Sequence, residues 1–120
     1  MVQNNPFQLR DTHGLLCSFP TPQIGIRHGL DMIRLLMSGY NGLTEKFNTT
    51  EKICRQWATL MGMDAADLLH QVTTLTGISP HQKITFSQRK FVVAIADAII
   101  RMEPAYNVPV EVIESAYDLL

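Results

Sequence analysis

The sequence predicts a mainly α domain: four to five helices around a central apolar helix, with a small N-terminal hairpin or extended segment. Three observations carry this. Apolar residues recur at three- and four-residue spacings through most of the chain after Phe19. Short polar residues open these runs, and Gly or Asn-Gly closes most of them. The run from Ser87 to Met102 is apolar on nearly every side, the pattern of a helix enclosed by others. A length of 120 residues fits a single domain over 1–120. Its 46% apolar content is enough for a core, which excludes a disordered chain.

The elements follow in order. "PFQLRDTHGLLCSF" holds two short apolar runs around Asp11-Thr12-His13-Gly14, a turn-forming cluster that fits a hairpin or paired extended segments. Thr21 is a good N-cap, and Pro22 suits a first helical turn, where its missing N–H costs nothing. Ile26, Leu30, Ile33, Met37 and Tyr40 then draw one stripe, which Gly39 and Asn41-Gly42 end. A second helix starts near Asn48, where "NTTE" has capping-box spacing with Glu51. Ile53, Cys54, Trp57 and either Leu60 or Met61 form its inner face before Gly62 stops it. The third runs from Asp64 through Leu68, Leu69, Val72 and Leu75 to Gly77, with acid at the positive end of its dipole. The fourth ends near Met102, since Pro104 biases Glu103 away from helical geometry. The last carries Ile113, Ala116, Tyr117 and Leu120.

Charge and composition remove several functions. A formal net charge of -1 does not suit a protein that grips a phosphate backbone, and the best basic cluster is only Gln88-Arg89-Lys90. No nucleic-acid partner is expected. The four histidines, His13, His28, His70 and His81, have no ligand spacing, so no metal is expected. Dispersed glycines form no phosphate cradle and no nucleophile elbow is present, so no cofactor is expected either. Cys17 and Cys54 lie in apolar contexts and read as reduced, buried thiols. No run is long and apolar enough to cross a bilayer. "MVQNNPFQLR" lacks the pattern of a secretory leader, so synthesis in the cytoplasm is expected, and any role outside it needs another delivery route.

The carboxylates are more informative. Cleaving a glycosidic bond needs an acid to protonate the leaving oxygen, and partial desolvation of a Glu serves that role. Glu103 stands at the end of the most apolar helix, whereas Glu45, Glu51, Glu111 and Glu114 sit in loops or helix starts. On spacing alone, Glu103 reads rather as a polar residue where the helix leaves the core than as an acid catalyst. Sugar rings pack on exposed aromatic faces. Trp57 lies on an inner stripe, which leaves Tyr106 as the aromatic nearest Glu103 in sequence.

"NNPFQL" at 4–9, "FPTPQIGIR" at 19–27, "RQWA" at 55–58 and "AIIRME" at 98–103 occur in this order, and "VPVEVIESA" follows. In order and spacing the chain resembles a small lysozyme-like family of phage and prophage proteins, described as virion structural or peptidoglycan-active. Its pattern is roughly N-N-P-G-N, then F-x-[ST]-P-x-x-G-I-R, R-W-A and A-I-I-R-x-E-N-G. The resemblance implies a lysozyme-like α fold acting on peptidoglycan glycan strands. It implies Glu103 as the general acid, with Asn4, Asn5 and Gln8 lining the cleft opposite; Tyr106 joins them as a substrate-binding candidate only by its nearness to Glu103 in sequence. A lytic transglycosylase needs only one such carboxylate, because a hydroxyl of the substrate closes the ring.

The chain departs from that pattern at site-like positions. Phe7 and Gln8 replace Gly and Asn, and Pro104-Ala105 replace Asn-Gly. Two expectations follow. The first is a protein that binds or cleaves glycan strands, with any catalysis altered or lost. The second is a non-enzymatic, phage-encoded protein that docks on a host or virion protein, for instance a host-defence inhibitor. Its six methionines suit an adaptable contact surface.

Overall fold

Hydroxyls and a carboxylate start the first three helices. Thr21 Oγ1 accepts the Ile24 N–H at 3.2 Å and opens α1, Pro22–Ser38. Thr49 Oγ1 accepts the Lys52 N–H at 3.2 Å and opens α2, Thr50–Met61. Asp64 accepts the Asp67 N–H and opens α3, Ala65–Thr76. The computed structural model describes residues 4–38, 46–103 and 105–120. Among them two further helices follow, α4 over Arg89–Ile100 and α5 over Val110–Asp118, and no strand is formed. The helix content bears out a mainly α protein. Tyr40 with its stop signals Gly39 and Asn41-Gly42, together with Glu45 and Pro104, lies outside the described residues.

Three boundaries differ from expectation, each for a local reason. The cap of α2 is Thr49 rather than Asn48, because the Asn48 carbonyl is taken by the Ile84 N–H at 2.8 Å. Helix α4 starts at Arg89 rather than Ser87, since Thr85 to Gln88 closes as a turn, with the Thr85 N–H donating to Gln88 Oε1 at 2.9 Å. At its other end the N–H groups of Met102 and Glu103 donate to Ile99 and Ile100, three residues back. Such bonds tighten a last turn and stop the α-helix before Met102.

The helices pack in chain order as a ring. Helix α1 lies against α2 and α5, α2 against α3, α3 against α4, and α4 against α5. Helix α4 is deeply buried, with Val92, Val93, Ile95, Ala96, Ala98, Ile99 and Ile100 all inside. Its closest helical neighbours are nevertheless only α3 and α5, so the expected central rod is one member of the ring. The largest fully buried side chains come from α4, through Ile95 and Ile100, and from the rest of the chain, among them Trp57, Phe7, Ile26, Leu30, Ile53 and Leu68. Of the two α2 alternatives Met61 faces inward and Leu60 outward, and Leu75 and Leu120 are exposed as well. Arg89 holds Asp118 through two bonds of 2.9 and 3.0 Å and joins α4 to α5. This lowers the Asp118 carboxyl below its ordinary value, so its small contribution fades as pH falls.

The expected hairpin shrinks to one antiparallel bridge, Arg10 with Leu16. Two backbone bonds flank it, Asp11 N–H to Leu15 O at 2.8 Å and Cys17 N–H to Leu9 O at 2.9 Å, and Asp11 Oδ1 takes the His13 and Leu15 N–H groups at the turn, so the pairing stays two bonds long. This segment lies instead on α1. A Cβ at Gly25 would collide with the Asn4 carbonyl, and one at Gly29 with the Phe7 ring. Two glycines four apart strip one helix face to backbone, and the N-terminal segment fills that space. Phe7 ends 1% exposed, its ring centroid 5.4 Å from that of Trp57.

Gly29→Ala is expected to lower stability by about 1–3 kcal/mol through overpacking, even after the helix gains about 1 kcal/mol of propensity. Combined with Phe7→Ala the losses should fall short of their sum in urea melts, and strict additivity would dissociate the effect from the Phe7 ring. Burial pushes the Cys54 thiol from 9.0 up to about 12. Between those values the unfolded chain releases a proton that the fold retains, so stability should fall as pH rises from 9 toward 12. Alkaline melts of Cys54→Ala should show a shallower decline than the parent.

Candidate functional site

The turn that follows α4 delivers Glu103 to the surface. The Glu103 N–H donates to Ile100 O at 3.2 Å, and the Tyr106 N–H donates back to Glu103 O at 3.2 Å, so the acid sits inside a tight reversal. Its Oε1 accepts the Ala105 N–H at 3.0 Å, and Oε2 has no partner among the described residues. The carboxylate is half-buried and lines a cleft of about 210 Å³.

The opposite wall comes from the N-terminal segment. Gln8 and Arg10 line the same cleft as Glu103, almost a hundred residues away in sequence, with Met61, Met63, Met102 and Phe7 as its apolar surface. Gly62, at φ 68, turns the chain from α2 toward α3 at the cleft edge, a left-handed conformation that other residues adopt with strain. Glu103 is the one carboxylate among the described residues of this lining.

Gln8 reaches its place through a turn that tolerates the bulky Phe7. The Gln8 N–H donates to Asn5 O at 3.0 Å and closes the reversal, with Gln8 at φ 57 and its Nε2 also bonded to Asn5 O at 3.2 Å. Phe7 therefore does not abolish the turn. It points its ring into the core.

The two asparagines serve the backbone rather than the cleft. Asn5 is fully buried: Nδ2 donates to Leu9 O at 2.9 Å and to Cys17 O at 3.1 Å, and Oδ1 accepts the Leu9 N–H at 2.9 Å. Asn4 Nδ2 donates to Phe19 O and Pro20 O at 2.9 and 3.1 Å. Tyr106 offers its hydroxyl oxygen to the Asn5 N–H at 3.2 Å and lines a separate cavity of about 370 Å³ with Arg101 and Asn107. Of the five residues singled out in the sequence, Glu103 and Gln8 line one cleft. Asn4, Asn5 and Tyr106 hold the walls that carry them.

Sequence reasoning missed Arg10 and the methionines. Arg10 follows Gln8 by two, a proximity that could have suggested a shared wall, whereas the approach of Met61 and Met63 depends on how α2 turns into α3. Among the described residues no three His, Cys, Asp or Glu side chains converge to hold a metal ion. No described helix is long and apolar enough to cross a membrane. The chain matches no protein-family model and no curated protein sequence.

Replacing Asn5 by Ala strands the Leu9 N–H and the Cys17 carbonyl, while Leu9 O keeps the Cys17 N–H, and should cost about 1–3 kcal/mol in chemical denaturation. Asn5→Asp should be worse at pH 7 than at pH 4, because burial disfavours the charged carboxylate while a protonated one still donates once. Equal stability of Asn5→Ala and the parent would contradict the clamp.

Proposed function

We propose that the protein acts on peptidoglycan glycan strands in the cleft between its N-terminal segment and the end of α4, with Glu103 as general acid and base. The observation that carries this reading is that Glu103 and Gln8 line one cleft. That juxtaposition is what the resemblance to phage lysozyme-like proteins implies for these two positions.

The chemistry follows from a single carboxyl group. Protonated Glu103 gives its proton to the glycosidic oxygen as the bond to the anomeric carbon breaks. The resulting carboxylate then removes the proton from the 6-hydroxyl of the same sugar, whose oxygen bonds to that carbon. An anhydro ring forms, no water is consumed, and no second carboxylate is needed. The free Oε2 suits the proton transfer, and Gln8 and Arg10 suit hydroxyl and carboxylate groups of the strand.

A second reading rests on the cleft's size and floor. About 210 Å³ lined by Met61, Met63, Met102 and Phe7 also accommodates an apolar side chain of a host or virion protein. In that case Glu103 contributes a rim charge and no catalysis.

Purified protein incubated with peptidoglycan should release soluble muropeptides ending in anhydro sugars, identified by mass. Glu103→Gln should lower release by roughly 10²–10⁴-fold without unfolding the chain. Absence of release by the parent protein at every pH from 4 to 8 would remove the enzymatic reading and leave the docking one.

A further inference from the structure

We infer that the groove between α1 and α5 is a binding site for a small amphipathic anion, such as an aliphatic carboxylate, anchored by Arg27. Two adjoining cavities make it, of about 490 and 310 Å³, and Ile24, Arg27 and Leu119 line both. The larger falls within the size range of small-molecule sites, which combine an apolar lining with a few placed polar groups. Its apolar lining is Ile24, Val112 and the buried Ala116, with Leu119 exposed at the rim. None of its residues lines the Glu103 cleft.

Charge selects the occupant. Five of the six arginines are already engaged: Arg10 by Gly14 O, Arg34 by Asp31, Arg55 by Glu51, Arg89 by Glu114 and Asp118, and Arg101 by Asp97. Arg27 has no hydrogen bond or ion pair among the described residues, and it stands where the two cavities join. A guanidinium beside an apolar trough matches a carboxylate head with a hydrocarbon tail. The head belongs on Arg27 and the tail on Val112, Ala116 and Leu119. Two carboxylates face the groove, Glu111 on the α5 rim and Asp31, which lines the adjoining cavity and is paired with Arg34, and both oppose a second negative charge on the ligand.

The test uses decanoate, 1-decanol and decyltrimethylammonium as probes at pH 7.5, read by titration calorimetry and by the change in Tm. Decanoate should bind and raise the Tm. Its affinity should fall roughly tenfold in Arg27→Gln, and Ser115→Trp should block binding from an exposed rim position without changing the Tm of the free protein. Glu103→Gln should bind decanoate like the parent. The proposal is overturned if decanoate does not bind the parent, if Arg27→Gln binds it equally, or if decanol binds as well as decanoate.

Discussion

The fit of residues 4–8 onto the Gly25–Gly29 face of α1 is the contact on which the rest depends. Glycine inside a helix costs about 1 kcal/mol against alanine, and α1 bears that cost twice. Burial of Phe7 offsets it with about 1.5–3 kcal/mol, and the three bonds of the Asn5 amide fix the segment's path. Without the bare face the segment would stand off the helix. Phe7 would then leave Trp57, and Gln8 and Arg10 would lose the position from which they face Glu103.

This arrangement explains what the chain could and could not disclose in advance. Local features were legible: the cap Thr21, the acidic start of α3 at Asp64, the stops Gly62 and Gly77, and the inward stripe of Ile26, Leu30, Ile33 and Met37. Each is decided within a turn or two of helix. The shift of the α2 cap to Thr49 was not legible, because the partner that takes the Asn48 carbonyl is Ile84, far along the chain. Leu75 looked like core by period but faces outward, since period alone does not say how wide a stripe the neighbouring helices cover. The asparagines were misjudged for a related reason. A buried amide that satisfies its own loop and one that faces a cleft read identically in sequence.

Departures from the lysozyme-like pattern take on a different meaning in three dimensions. Phe7 stands where the pattern has glycine, yet the Asn5–Gln8 reversal closes and the ring serves the core. Gln8 absorbs the cost, with a left-handed backbone and a side-chain bond back to Asn5 O. Because Gln8 carries both that strain and a place in the cleft, it couples the packing of the N-terminal segment to the proposed chemistry.

Helix α1 serves more than one face at once, and its sequence orders them. At 3.6 residues per turn, Ile26, Leu30, Ile33 and Met37 point into the ring, and Gly25 and Gly29 lie to one side of them. Ile24, Arg27, Asp31 and Arg34 fall on the other side, toward α5. The apolar stripe was visible because hydrophobicity marks it. The glycine face is defined by missing atoms and the Arg27 face by a missing partner, and an absence of that kind emerges only when the surrounding chain is in place. The same helix therefore holds the N-terminal segment toward Glu103 while presenting an uncommitted cation elsewhere, so a change on one face can leave the other intact.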